Sequence, residues 1–139
     1  MEKDIVQETL TEWRRGKFVY GQSDCMLSIG RYLAKTGHKD VTGQFVGTYD
    51  DHDGAKAQIA ANGGIPGLMA LAGARPKDGP PEHGDVVEIL YKDEDEEGSI
   101  GGLCVNGFGA ARGLCHRGAP KPAQYCGYLA WPRLKRSGP

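Results

Sequence analysis

The feature that most constrains the fold is a breaker-rich connection, Arg75 to Pro81, which separates a helical half of the chain from a strand-forming half. Before it, apolar residues recur at helical spacing, as in Val6, Leu10 and Trp13. After it, β-branched residues form short runs, of which residues 83–91 are the longest. Helices followed by strands predict an α+β domain in which N-terminal helices pack on a C-terminal antiparallel sheet.

The same patterns predict the individual elements. Helices are expected at residues 3–15, 23–35, 54–62 and 66–72, and strands at 83–91, 100–105, 108–114 and 128–131. Ser23 and Asp53 are the expected N-caps of the second and third helices, because short polar side chains satisfy free backbone N–H groups there. Asn106-Gly107 predicts a tight hairpin turn, and the acidic run 92–97 predicts a solvated hairpin loop.

Length and charge narrow the function classes. The 139 residues suit one domain, expected to span 1–139 with a loose basic tail from about residue 135. A net charge of -1 provides no basic field, so we expect no nucleic-acid partner. The N-terminus lacks a signal-peptide pattern and no apolar run approaches membrane-spanning length. We therefore expect synthesis in the cytosol, no membrane insertion and no cofactor.

The four cysteines, Cys25, Cys104, Cys115 and Cys126, form no Cys-x-x-Cys pair. In the cytosol they are expected to be reduced. The last three recur with ten residues between each pair, and His116 follows Cys115. A Cys/His metal-binding assembly module is therefore an open alternative. The favoured interpretation is that residues on neighbouring hairpin arms share this spacing without binding a metal.

The segment from Phe18 to Cys25 ends at the start of a helix. A thiol at a helix N-terminus ionises more readily, because the helix dipole stabilises the thiolate. Asp24 opposes this effect, since an adjacent negative charge favours the neutral thiol. Cys25 is therefore a candidate nucleophile or a small buried residue that serves packing.

The motif order resembles the NlpC-type cell-wall hydrolases, and in particular a small uncharacterised family encoded among phage and prophage tail genes. The motifs that carry the resemblance are Tyr20-Gly21-Gln22-Ser23-Asp24-Cys25, Thr36-Gly37 through Gly47-Thr48-Tyr49, Asn62-Gly63-Gly64, Gly84-Asp85-Val86-Val87 and Ala130-Trp131. They cover most of residues 10–133.

The resemblance implies a papain-like fold of the kind that cleaves peptide stems of peptidoglycan. The nucleophile position corresponds to Cys25, and the general-base position falls on Ile100 or Ser99, where the related enzymes have histidine. The third triad position falls within residues 110–112, Ala-Ala-Arg, and the tyrosine ahead of the glycine corresponds to Phe18. The resemblance thus implies an active-site frame that lacks its base.

Three hypotheses follow. The favoured one is a structural tail-tip accessory or assembly protein, located in the virion after assembly in the host cytoplasm. It would bind tail hub proteins, with Tyr20, Gly21 and Asp24 as binding residues and Cys25 vestigial. The second is an active cysteine peptidase or amidase acting on peptidoglycan, with His116 as base. The third is the metal-binding module. His83 is expected to be a solvent-exposed cap.

Overall fold

A computed structural model of the protein describes residues 4–76, 80–92, 97–112 and 129–133. Within these ranges the chain is an α+β structure in which helices precede an antiparallel sheet. The helices are α1 (Ile5–Arg15), α2 (Cys25–Lys35), α3 (His52–Ala61) and α4 (Gly64–Leu71), with a short 3-10 turn at Thr42–Gln44. The strands are β1 (Val86–Lys92), β2 (Glu97–Val105), β3 (Phe108–Ala111) and β4 (Leu129–Arg133).

The first helix shows why the helical half folds as predicted. The Asp4 carboxylate caps α1 by accepting hydrogen bonds from the backbone N–H groups of Val6 and Gln7. Val6, Leu10 and Trp13 lie on one face and are buried, with Trp13 only 2% exposed. Arg14 and Arg15 lie in the last turn, where positive charge suits the helix dipole.

The sheet has the order β1-β2-β3-β4, with every neighbouring pair antiparallel. Val86 lies opposite Leu103, and Leu103 lies opposite Ala110. Asn106 and Gly107 both have positive φ, 51° and 88°, which confirms the predicted tight turn between β2 and β3.

The core lies between the helices and the sheet. Ile29 and Leu33 of α2 and Leu103 of β2 are among its members, and Ile29 and Leu103 have no exposed surface. Gly101 lies against α2, since a Cβ at this position would lie 3.2 Å from the sulfur of Met26. The Tyr32 hydroxyl donates to the carbonyl of Gly84 at 2.6 Å and ties α2 to the entry of β1.

Several predicted boundaries were wrong. The N-cap of α2 is Asp24 rather than Ser23, and the N-cap of α3 is Asp51 rather than Asp53. The fourth helix begins at Gly64 rather than Pro66, because Gly63 and Gly64 both adopt positive φ and turn the chain directly into it. The predicted tail from about residue 135 and most of the acidic tip lie outside the described residues.

Among the residues that the structure describes, no helix has both the length and the apolar character needed to cross a bilayer.

Candidate functional site

The site begins with a tight turn ahead of α2. The backbone N–H groups of Gln22 and Ser23 donate to the carbonyl of Val19. The Ser23 hydroxyl donates to the carbonyl of Lys17 and accepts from the N–H of Val19 at 3.0 Å. Ser23 therefore closes this turn and leaves the cap of α2 to the next residue.

Asp24 is the centre of the site. Its carboxylate is 1% exposed and accepts three hydrogen bonds: from the N–H of Leu27 at 3.0 Å, from the N–H of Gly21 at 2.8 Å and from the Tyr49 hydroxyl at 2.5 Å. A buried carboxylate requires such partners, because leaving water is costly for an ion. Asp24, Gly21, Leu27 and Tyr49 are called the Asp24 cluster below.

A close backbone approach strengthens this cluster. The N–H of Gly47 donates to the carbonyl of Gly21 at 2.9 Å. Gly21 has a φ of 80°, and a Cβ at this position would lie 2.0 Å from the carbonyl oxygen of Tyr49. Only glycine fits at such an approach. The structure thus brings together two motifs that the sequence separates by more than twenty residues.

Cys25 is the first residue of α2 and is partly exposed. Desolvation is the main cause that raises the pKa of its thiol from 9.0 to about 12, and the negative charge of Asp24 adds to the increase. Hydrogen bonds from the N–H groups of Met26 and Cys25 act in the opposite direction but are weaker. The expected opposition between Asp24 and thiolate formation is confirmed.

Tyr49 is bound so that it remains a hydrogen-bond donor. Desolvation raises the pKa of its phenol strongly, and the hydrogen bond to Asp24 and the charge of that carboxylate raise it further. The hydroxyl therefore stays protonated throughout the physiological pH range and donates a hydrogen bond to the Asp24 carboxylate.

The strand positions that correspond to the general base hold no titratable group. Ile100 lies opposite Ile89 in the β1–β2 ladder, next to Ser99. A Cβ at the neighbouring Gly101 would lie 3.2 Å from the Met26 sulfur and 3.5 Å from Ile29 Cγ1 of α2. The contact between β2 and α2 next to the expected base position is therefore apolar.

The third position of the expected triad holds a buried cation. Arg112 follows β3 and is 9% exposed. Its Nη1 donates to the Ser28 hydroxyl at 3.2 Å and its Nη2 donates to the carbonyl of Lys17 at 3.0 Å. Desolvation lowers the pKa of this guanidinium. Arg112 ties the end of β3 to α2 and to the turn before it, a role that the sequence alone did not indicate.

Three histidines lie within the described residues. His83 Nε2 lies 3.2 Å from an Asp4 carboxylate oxygen, and its Nδ1 accepts from the N–H of Asn106 at 3.2 Å. The ring is exposed, as expected, but it joins α1 to the β2–β3 turn rather than serving as a cap. His38 Nδ1 lies 3.3 Å from the Thr36 hydroxyl.

His52 Nδ1 lies 3.4 Å from the Tyr20 hydroxyl, and the Tyr20 ring packs edge-to-face on Phe18 with centroids 5.0 Å apart. Of the predicted binding residues, Gly21 and Asp24 therefore meet in the Asp24 cluster, whereas Tyr20 contacts His52 and Phe18.

The other candidate residues are divided between the described and undescribed parts of the chain. Cys104 is fully buried in β2. Cys115, His116 and Cys126 lie outside the described residues, so the predictions that involve them remain predictions. Within the described ranges, no three histidine, cysteine or acidic side chains are grouped closely enough to hold a metal ion.

A family model described as a domain of unknown function, DUF6950, matches residues 2–121. Neither the curated proteins nor the solved structures include a significant match. Because the family model covers most of the chain, the protein belongs to the DUF6950 family.

Proposed function

We propose that this chain is a phage or prophage tail-tip accessory or assembly protein, built on a degenerate NlpC-type, papain-like fold that binds tail proteins instead of cleaving peptides. The ordered motifs between Tyr20 and Trp131 support the proposal. The arrangement of helices followed by an antiparallel sheet is compatible with it.

The surroundings of Cys25 are the observation that carries the proposal: it follows the buried Asp24 at the start of α2, and the strand positions that correspond to the general base hold Ser99 and Ile100. Thiolate, rather than thiol, is the nucleophile in cysteine peptidases. With a pKa of about 12, the thiol would be ionised in only roughly one molecule in 10⁵ at neutral pH. An active enzyme of this class would need a neighbouring imidazole to reverse that preference.

The groups found at the other triad positions cannot supply this chemistry. Ile100 has no proton acceptor, and the Ser99 hydroxyl is not basic at neutral pH. Arg112 remains protonated and cannot orient an imidazole by accepting its N–H. Asp24, the nearest carboxylate in sequence, already accepts three hydrogen bonds. These residues support an active-site frame in which Asp24 and Arg112 stabilise the fold rather than take part in catalysis.

Genetic complementation tests the proposal in the phage or prophage that encodes the chain. We expect deletion of the gene to reduce the yield of infectious particles, and expect both the wild type and Cys25→Ala to restore it. Mass spectrometry of purified particles should detect the chain. An unchanged particle yield after deletion, or absence of the chain from particles, would contradict the tail assignment.

A peptidoglycan assay separates the proposal from the peptidase alternative. Purified wild type and Cys25→Ala should release the same background of peptide from muropeptides, because removing an inert thiol costs no activity. Cleavage by the wild type that both Cys25→Ala and His116→Ala abolish would establish the peptidase alternative and overturn the binding role.

Metal analysis addresses the third hypothesis. Protein purified anaerobically should contain less than one ion per chain. A stoichiometric ion that is lost in Cys115→Ser would establish the metal-binding module instead.

A further inference from the structure

An apolar cavity of about 40 Å³ lies between α2, α3, α4 and the Thr42–Gln44 turn. Its walls include Met26 and Leu33 of α2, Phe45 after the turn, and Leu68 of α4. None of the described residues that line it carries a charge. The cavity therefore lies between part of the inner face of α3 and the apolar surface of α2 and α4.

The attachment of α3 is correspondingly weak. None of its ten residues is buried, whereas α1 buries four and α2 buries five. Ala55, Gln58 and Ile59 face the cavity but are only partly buried. Helices of this length depend on tertiary packing for their stability, and α3 contributes no buried side chain to that packing. Its contacts include those with α4, the Gln58 amide to the Thr48 hydroxyl at 3.4 Å, and the His52 ring to the Tyr20 hydroxyl at 3.4 Å.

The two ends of this segment differ in how they are held. At its start, the Tyr49 hydroxyl donates to the Asp24 carboxylate, and the N–H of Gly47, two residues earlier, donates to the carbonyl of Gly21. At its end, Gly63 and Gly64 both have positive φ, 85° and 77°, and join α3 directly to α4. Two successive glycines permit backbone rotation that other residues resist.

We propose that residues 50–62, called the α3 lid below, open as a unit from the cavity, pivoting at Gly63–Gly64 and released by loss of the Tyr49–Asp24 hydrogen bond. Opening exposes the apolar wall formed by α2 and α4 while α1, α2 and the sheet remain folded. This device does not depend on the proposed function.

Hydrogen exchange on the full chain measures this opening directly. We expect the amides of residues 56–61 to exchange at least about tenfold faster than those of Ile29–Leu33, with a weaker dependence on urea, because they open without global unfolding. Identical exchange rates and urea dependence for α3 and α2 would overturn the proposal.

Tyr49→Phe removes the hydroxyl that holds the start of the lid. It should accelerate α3 exchange by about tenfold or more, beyond any change in α2, because a hydrogen bond to a charged group is among the stronger ones. Tyr20→Phe is the matched control and should leave α3 exchange within about threefold of the wild type. Equal effects of the two variants would contradict the release step.

A second pair of variants keeps the test valid if Tyr49→Phe disturbs the whole fold. Ala55 faces the cavity and Ala57 is exposed on the same helix. Ala55→Val adds apolar contact between lid and wall and should slow α3 exchange several-fold relative to Ala57→Val, which has the same helix propensity. Equal exchange in the two variants would show that α3 does not close on this cavity.

Discussion

The starts of α2 and α3 use the same local device with different consequences. In each helix an aspartate caps the first turn: Asp24 accepts from Leu27 at 3.0 Å and Asp51 accepts from Gly54 at 2.7 Å. Asp24 is buried and also binds Gly21 and Tyr49, whereas Asp51 is exposed. Tertiary partners, rather than the cap itself, therefore decide how strongly each helix start is fixed.

Replacement of the two caps gives the largest expected difference. Asp24→Ala leaves the partly buried Tyr49 hydroxyl and two N–H groups without their acceptor and should lower the free energy of unfolding by about 3–5 kcal/mol. Asp51→Ala should cost about 1 kcal/mol, the usual cost of losing an exposed cap.

Urea unfolding followed by circular dichroism compares the two variants. Equal destabilisation would show that the Asp24 cluster adds nothing beyond capping.

Two glycines with positive φ, Gly21 and Gly37, differ in the same way in their tertiary surroundings. Gly21→Ala places a Cβ 2.0 Å from the Tyr49 carbonyl oxygen and should cost about 2–4 kcal/mol, because strain and overlap combine. Gly37 also has positive φ, 100°, but nothing lies within 4 Å of an added Cβ. Gly37→Ala should therefore cost about 1–2 kcal/mol from strain alone.

Thermal unfolding of the two variants, measured by circular dichroism, tests this difference. A Gly37→Ala variant at least as unstable as Gly21→Ala would contradict the close approach between Gly21 and Tyr49.

The sequence predicted the order of the elements because the signals that define them are local. The spacing of Val6, Leu10 and Trp13 and the Asn106-Gly107 turn depend only on near neighbours. The α+β class, the helices before the sheet and its antiparallel pairing follow from that order and are confirmed. The papain-like fold remains a proposal.

Contacts between distant residues were harder to predict. Ser23 and Asp24 are both good caps, and local chemistry could not show that the Ser23 hydroxyl instead bonds Lys17 and Val19. The hydrogen bond between Tyr49 and Asp24 spans 25 residues, and that between Arg112 and Ser28 spans 84. The Gly-x-Tyr motif that ends at Tyr49 was the one sequence signal for the hydrogen bond between Tyr49 and Asp24. No local pattern indicated the hydrogen bond between Arg112 and Ser28.

The N-cap of α1, Asp4, is a third aspartate cap, and we expect its charge to have a smaller effect on the free energy of unfolding. Asp4 is exposed, and desolvation acts to raise the pKa of its carboxyl, but hydrogen bonds from His83, Gln7 and Val6 together keep that pKa below 3.8. A carboxyl with a lowered pKa in the folded state stabilises the protein above its unfolded pKa, and the stabilisation disappears as pH falls through the folded value.

Asp4→Asn isolates this contribution, because asparagine keeps the cap but cannot ionise. The urea midpoint of the wild type should fall more steeply than that of Asp4→Asn between about pH 5 and about pH 2. Parallel curves for the two proteins would show that the Asp4 charge contributes nothing to the pH dependence.

The alkylation rate of Cys25, measured against pH, shows whether the start of α2 holds a neutral thiol that serves packing. Trypsin places Cys25 in a peptide of its own, residues 18–31, so its labelling is distinguishable from that of the other cysteines. In the folded protein the alkylation rate of Cys25 should be roughly 10³-fold below that of the urea-unfolded chain at about pH 8, because the pKa of the folded thiol lies near 12 rather than 9.0. For the same reason, the rate should still rise through about pH 10 without a plateau. A plateau in the alkylation rate at or below about pH 8 would show a reactive thiolate at Cys25 and contradict the proposal that this thiol is neutral.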